Sequence, residues 1–264
     1  MTAARLGSQR VAAALERRPG PPRVIAYLMA GFPRREDTTA MLLAAQRAGA
    51  ALVELGLPFS DPLADGPTIQ AAGTRALAGG MTTALALKQV RRARADGLTV
   101  PLVVMTYLNP ILQMGLADFC AKAAVVGVDG VLVPDLPIDE AGELSQLAAT
   151  SGLAFNTMVA PTTPDRRLTA AARLSTGFLY CVSRTGVTGA GPEDQSEGRE
   201  LLRRARSLTE VPLVLGFGVR RAEQVRALSG LADAVVVGSA LLEAAAAAPD
   251  PAAAVARALE ELRA

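Results

Sequence analysis

Two acidic side chains in this sequence, Glu54 and Asp65, are candidates for acid–base chemistry. Glu54 lies in the apolar run 51–55, near the C-terminal end of a predicted strand, where a buried charge is costly unless it is paired or used. An ion pair with an arginine would explain Glu54 as well as a catalytic role would. Asp65 follows in a segment rich in Pro, Gly and Asp. These residue types are typical of turns, and a turn is the better explanation for Asp61 in the same segment.

The absence of histidine restricts the chemistry further. It removes the usual general base, the usual zinc ligand and the nucleophiles that depend on histidine, so we predict no metal site. The two lysines, Lys88 and Lys122, lie in predicted helices rather than at strand ends, so we expect no Schiff base. Cys120 and Cys181 have no metal or redox spacing and are predicted to be packing residues. Acid–base chemistry must therefore fall to carboxylates.

A second signal is a series of glycines towards the end of the chain. They follow three successive predicted strands: Gly186, Gly189 and Gly191, then Gly216 and Gly218, then Gly238 with Ser239 at the start of a helix. Loop glycines are also common for steric reasons, but bare backbone N–H groups and a helix N-terminus favour an anion. We therefore predict a phosphate site there, and a lid over residues 183–192, which include Arg184.

Short apolar runs alternate with segments of helical period, which predicts parallel βαβ units covered on both faces. The runs are residues 24–30, 51–55, 102–106, 130–133, 154–159, 178–182, 213–215 and 234–237. A doubly wound sheet also alternates strand and helix, but the first strand is followed only by Gly31-Phe32-Pro33, which is no dinucleotide motif. Eight units in 264 residues predict an α/β fold, a single (β/α)8 TIM barrel over residues 1–264 with an extra N-terminal helix over residues 4–18.

The composition limits partners and location. The 27 basic and 25 acidic residues leave a net charge of +2, with no basic run long enough to follow a nucleic acid backbone. The sequence has neither a signal-peptide pattern nor an apolar stretch of membrane-spanning length. We therefore expect no nucleic acid, no membrane and a cytoplasmic location.

The segment 54–70, ELGLPFSDPLADGPTIQ, closely resembles the signature of the tryptophan synthase alpha subunit family. The resemblance continues in family order through YLNP at 107–110, PDLP at 134–137, APTTP at 160–164, SRTGVTG at 183–189, GFG at 216–218 and GSA at 238–240. It thus covers nearly the whole chain.

The resemblance implies a retro-aldol cleavage of indole-3-glycerol phosphate to indole and glyceraldehyde 3-phosphate, with no cofactor in this chain. It makes Glu54 the acid–base residue, Asp65 the partner of the indole N–H, and Tyr180 an assistant to Glu54. The implied substrate-binding residues are Tyr27 and Met105 in the indole pocket, Thr188 in the lid beside Asp65, and Gly189, Gly218, Gly238 and Ser239 at the phosphate. Tyr27 stands where many relatives carry Phe.

The resemblance also implies a beta subunit partner, in an alpha2-beta2 complex, that would join indole to serine with its own pyridoxal phosphate. The surface facing that partner would include Pro58, Asp61, Pro62 and Asn109. One alternative is a free-standing lyase that releases indole, and another is a catalytically silent activator of a partner, against which the two carboxylates speak. An isomerase of the same pathway would lack the paired carboxylates.

Overall fold

Eight parallel strands form a closed barrel, in which each strand pairs with the next along the chain and the last pairs with the first. The computed structural model of the chain describes residues 6–182, 196–216 and 218–263. The strands are β1 (Arg23–Met29), β2 (Leu52–Gly56), β3 (Leu102–Met105), β4 (Gly130–Leu132), β5 (Ala154–Val159), β6 (Leu179–Val182), β7 (Leu213–Gly216) and β8 (Ala234–Val237). The predicted barrel is confirmed, and each predicted strand agrees to within one residue at either end.

The strands are mostly apolar because both of their faces are covered, and Asn156 and Thr157 in β5 are polar exceptions. Every residue of β2, β3, β4, β7 and β8 is buried. Inward-pointing side chains fill the barrel and outward-pointing ones meet the helices, so the usual alternation of apolar and polar residues is absent. Against this background, Glu54 is the only charged residue in β2.

Helices surround the barrel. They are α1 (Gly7–Ala14), α2 (Asp37–Arg47), α3 (Pro67–Ala78), α4 (Thr83–Ala95), α5 (Leu108–Met114), α6 (Leu116–Val125), α7 (Gly142–Thr150), α8 (Asp165–Leu174), α9 (Ser196–Leu208), α10 (Ala222–Arg226), α11 (Ser239–Ala247) and α12 (Pro251–Arg263). Pro67 stands in the first turn of α3, where its missing N–H costs no hydrogen bond. No helix in the described ranges is long and apolar enough to cross a bilayer.

Helix α1 closes the N-terminal end of the barrel. Its first residue, Gly7, donates its N–H to the Gly152 carbonyl at 2.8 Å, and Val11 and the following Leu15 are fully buried. The helix packs against β4 and β5. It ends at Ala14, earlier than the predicted 18, and residues 1–5 lie outside the described part of the chain.

An ion-pair network holds the strand starts at this end. Asp129, just before β4, is 2.5 Å from the Nη2 of Arg94 and 3.2 Å from the Nε of Arg10. The same carboxylate accepts the N–H of Leu102 at 2.8 Å. These contacts stabilise the N-terminal face of the barrel. In barrels of this kind the active site lies at the opposite face, where the strands end.

Candidate active site

A cavity of about 190 Å³ opens at the C-terminal ends of the strands. Its lining residues are Tyr27, Glu54, Asp65, Ile69, Met105, Tyr180, Gly218, Val219, Arg220, Val236, Gly238 and Ser239. All of the sequence-predicted site residues that lie in the described ranges are among them. The barrel therefore brings the two carboxylates and the late glycines to one cavity.

Glu54 is fully buried in the barrel mouth. The pairing of β1 with β2 places it beside Tyr27. Neither of its carboxylate oxygens has a hydrogen-bond partner among the described residues, so the predicted alternative of an arginine ion pair is not what the structure shows. Burial, and next the charge of Asp65, raise the pKa of Glu54 to about 8. Glu54 is thus protonated at neutral pH and can act as an acid.

Asp65 reaches the same cavity from the loop between β2 and α3. Hydrogen bonds hold this loop: the Ala64 N–H donates to the Tyr107 hydroxyl at 3.0 Å, and the Gln70 side chain donates to the Asp65 carbonyl at 2.9 Å. Burial of the carboxyl group raises its pKa, and a hydrogen bond from Tyr107 lowers it. Burial is the larger effect, and the pKa is raised to about 6. Asp65 is therefore ionised at neutral pH.

Two buried tyrosines complete the walls around the acids, and each packs on a glycine of a strand. A Cβ on Gly56 would lie 2.2 Å from the Tyr27 hydroxyl, and one on Gly216 would lie 2.0 Å from the Tyr180 hydroxyl. Burial raises the pKa of both phenols well above their usual value, so both stay protonated. Glu54 is the main charged group acting on Tyr180 and Asp65 the main one acting on Tyr27. Met105, at the end of β3, adds an apolar surface.

The loops after β7 and β8 supply a second group of residues that line the cavity. Gly218 follows β7 with φ of +85°, a conformation that favours glycine. Gly238 precedes α11 and Ser239 is its first residue. The first N–H groups of a helix have no partner within the helix and carry its positive dipole end, so this part of the cavity suits an anion.

Some predicted residues lie outside the described ranges. These are Thr188 and Gly189 of the implied binding set, together with Arg184, Gly186 and Gly191 of the predicted lid.

Several residues of the site were missed by sequence reasoning. Tyr107 belongs to the YLNP motif after β3, yet its contact with the Asp65 loop crosses 43 positions of sequence. Arg220 follows the glycines after β7, and nothing in its sequence context distinguishes it from the other arginines of the chain. Ile69, Val219 and Val236 are apolar lining residues with no distinctive signal.

The surface predicted to face a partner is only partly exposed. Asp61 and Asn109 are exposed and Pro62 is half-buried. Pro58, two positions after the end of β2, is buried within this chain and offers a partner little surface.

Comparison with known proteins agrees with this geometry. The family model for the tryptophan synthase alpha chain matches residues 14–264. The chain belongs to the tryptophan synthase alpha chain family. It is 48% identical to the tryptophan synthase alpha chain of Shouchella clausii (strain KSM-K16) over 83% of this chain and 81% of the relative. It is 50% identical to that of Gluconacetobacter diazotrophicus over 83% and 80%.

A solved structure of the tryptophan synthase α2β2 complex from Pyrococcus furiosus contains a chain that superposes with a TM-score of 0.86. Sequence identity is 40%, and the match covers 93% of this chain and 99% of the other. As a member of the tryptophan synthase alpha chain family, the protein is a carbon–carbon lyase that cleaves indole-3-glycerol phosphate.

Proposed function

We propose that Glu54 and Asp65 divide the chemistry of this cleavage, with Glu54 as acid and base and Asp65 as the stabilising anion. The observation that carries the proposal is that both carboxyl groups line one cavity with different raised pKa values, about 8 and about 6. Between those values one group holds a proton and the other a charge. Such separation is the usual basis for assigning acid and anion roles.

Glu54 both donates and regains the proton that is transferred in the reaction. Its carboxyl group protonates the ring carbon that carries the glycerol chain, which places positive charge on the indole ring. The bond from that carbon to the first glycerol carbon then breaks, and its electron pair returns to the ring. The hydroxyl proton on the glycerol carbon passes to the Glu54 carboxylate as the aldehyde forms. Glu54 thus ends as it began, protonated, and the products are indole and glyceraldehyde 3-phosphate.

Asp65 supports the charged stage. An ionised carboxylate that accepts the indole N–H stabilises the positive ring electrostatically, and more strongly because Asp65 is buried. Tyr180 is buried and lines the same cavity, and we propose that it assists Glu54. Tyr27 and Met105 are proposed to pack on the indole ring.

The phosphate group fixes the substrate in this orientation. Gly218, Gly238 and Ser239 line the cavity at the ends of β7 and β8, and a phosphate anchored there sets the glycerol chain between these residues and the acids. Thr188 and Gly189 are assigned to the lid and phosphate by family resemblance.

The test is to mix the purified chain with indole-3-glycerol phosphate and measure indole. We expect Glu54→Gln to abolish cleavage while the substrate still binds, because the shape is kept and the proton carrier is lost. Glu223→Gln, a matched change at an exposed ion pair on α10, should leave the rate unchanged. Substantial turnover by Glu54→Gln would remove Glu54 from the mechanism.

We propose further that the chain works with a beta subunit in an alpha2-beta2 complex, as the Pyrococcus furiosus protein does. Pyridoxal phosphate would belong to that partner. Two large apolar side chains at the active-site end, Leu63 after β2 and Leu112 on α5, are 87% and 53% exposed beside Asp61 and Asn109. Exposed apolar residues at one face are typical of a protein contact.

Indole release measured with and without a beta subunit separates the partnered enzyme from a free-standing lyase. We expect the rate to rise when the beta subunit is added, and Leu63→Asp to remove that rise without changing the basal rate. Equal rates with and without the partner would support the free-standing form. We propose the cytoplasm as its location, as expected for a biosynthetic enzyme.

A further inference from the structure

Arg220 is the only cationic side chain among the described residues that line the active-site cavity. It lies two positions after Gly218, on the loop that leads from β7 to α10. Its guanidinium is 47% exposed and forms a two-pronged pair with Glu243, with Nη1 to Oε2 and Nη2 to Oε1 both at 2.8 Å. A guanidinium held at two points has a fixed direction.

Glu243 places this guanidinium near the phosphate side of the cavity. It lies four residues after Ser239 on α11, so the two side chains share one face of the helix, one turn apart. Its Oε1 also accepts the hydroxyl hydrogen of Thr68, at the start of α3, at 3.2 Å. The hydrogen bonds from Arg220 lower the pKa of Glu243, which stays ionised.

The pair leaves donors unused. It occupies one N–H of each Nη atom, so the Nε–H and two further N–H groups of Arg220 remain, and none has a hydrogen-bond partner in the described ranges. Five fixed donors are the feature that suits arginine to phosphate.

The electrostatics of the cavity call for such a cation. A phosphate monoester carries a charge of about −1.5 to −2, and a helix N-terminus offers only about +0.5. Backbone N–H groups are neutral, and two carboxyl groups, Glu54 and Asp65, line the same cavity. Glu243 offsets the net charge of Arg220, but the unused N–H groups of the guanidinium still present positive charge that favours a phosphate.

We propose that Arg220 is a substrate-binding residue that donates hydrogen bonds to the phosphate group of indole-3-glycerol phosphate, and that Glu243 positions it. The inference rests on the proposed phosphate side of the cavity. On this proposal the phosphate is bound by a side-chain cation as well as by backbone N–H groups, so part of the affinity depends on the charge of the ligand.

The test compares two non-cleavable probes, indole-3-propanol phosphate and indole-3-propanol, in the wild type and in Arg220→Met. We expect the Kd of the phosphate probe and the KM of the substrate to rise about tenfold, a change of about 1.4 kcal/mol. The Kd of the alcohol and kcat should stay within about twofold, because the acids are untouched. Arg220→Lys should restore part of the affinity, since it keeps the charge but not the two-pronged pair.

Arg226→Met is the matched control. Arg226 is on α10, pairs with Glu223 at 3.2 Å and lines a different cavity, at the N-terminal end of the barrel, so losing its charge should leave both probes unaffected. The positioning role of Glu243 is tested by a double-mutant cycle: Glu243→Gln should change the Kd of the phosphate probe in the wild type but not in Arg220→Met.

The outcomes separate this inference from the proposed function. If the wild type binds the phosphate probe no more tightly than the alcohol, the phosphate site itself is wrong. If it prefers the phosphate probe and Arg220→Met keeps that preference in full, only the role of Arg220 is overturned. An equal loss of affinity for both probes would show a structural effect and also overturn it.

Discussion

The charge of Asp65 adds to burial in raising the pKa of Glu54 to about 8, while the Tyr107 hydroxyl opposes the rise at Asp65, whose pKa reaches about 6. The two residues are 11 positions apart in sequence, one in a strand and one in a loop. Their difference comes from surroundings, because Glu54 has no hydrogen-bond partner in the described ranges and Asp65 has Tyr107. The pair therefore has one preferred protonation state near neutral pH.

We expect kcat/KM to follow a bell-shaped pH profile with limbs near pH 6 and pH 8. Activity rises as Asp65 ionises and falls as Glu54 loses its proton, and kcat/KM reports the free enzyme to which these pKa values belong. The measurement is indole formation at low substrate concentration across pH 5 to 9. A profile that still rises above about pH 8 would contradict the assignment of Glu54 as the acid.

The Asp65→Asn variant tests the coupling itself. Removing the Asp65 charge should lower the pKa of Glu54, although burial, the larger cause, keeps it above the ordinary value of 4.5. A carbon-13 NMR titration of the Glu54 carboxyl measures this directly. An unchanged or higher pKa in the variant would show that the two acids do not interact.

Glu54→Gln should stabilise the protein at alkaline pH. The folded state holds a proton on Glu54 up to about pH 8 that the unfolded chain releases near 4.5, so the free energy of unfolding of the wild type falls as pH rises between these values and levels off above them. The variant has no such loss. We expect it to exceed the wild type at pH 8 by more than about 1.4 kcal/mol, the equivalent of one pKa unit, and to match it near pH 4.5.

Urea denaturation of both proteins at pH 5 and pH 8 measures the difference. Asp65 contributes a smaller total change of the same sign, between pH 3.8 and about 6, in both proteins, because its pKa shift is smaller. A variant that is less stable than the wild type at pH 8 would mean that Glu54 is ionised and well solvated in the folded protein.

The barrel was predictable because its strands differ so clearly from its helices. Runs such as residues 213–215 are apolar on both faces, as a parallel strand covered on both sides requires. The end of α1 was harder, since the predicted 4–18 continues past Ala14 on helical propensity alone. Propensity does not show where tertiary contacts stop supporting a helix.

The site was predictable as far as single residues carry a signal. Glu54 is a charge in an apolar run, and Gly218 and Gly238 are glycines after late strands. The contact of Tyr107 with Ala64 and that of Thr68 with Glu243 carry no such signal, because they join residues 43 and 175 positions apart. Their partners become evident only when the barrel closes. The burial that separates the two pKa values is likewise a property of the assembled cavity.

Gly216→Ala should damage the site through Tyr180. A Cβ there would lie 2.0 Å from the Tyr180 hydroxyl and 2.1 Å from its ring carbon Cζ, so the ring must shift from its place in the cavity wall. We expect a loss of about 1–3 kcal/mol in the free energy of unfolding, as for overpacked cores, with a higher KM. Gly142→Ala is the matched control, because an added Cβ there meets nothing within 4 Å. It should change neither the free energy of unfolding nor KM.

The two buried tyrosines should respond differently to loss of the hydroxyl. Glu54 is the main charged group acting on Tyr180, whereas Asp65 acts more strongly on Tyr27. We therefore expect Tyr180→Phe to lower kcat about tenfold, equivalent to about 1.4 kcal/mol, because the hydroxyl dipole beside the reacting acid is lost. Tyr27→Phe keeps the apolar wall that the indole ring needs, so its kcat and KM should remain near those of the wild type.

Both the Tyr180→Phe and the Tyr27→Phe variants remove one hydroxyl from an almost fully buried ring, so each controls for the packing effect of the other. Equal losses of kcat would show that the two hydroxyls serve the shape of the cavity, and a loss confined to Tyr27→Phe would assign the assisting role to Tyr27 in place of Tyr180.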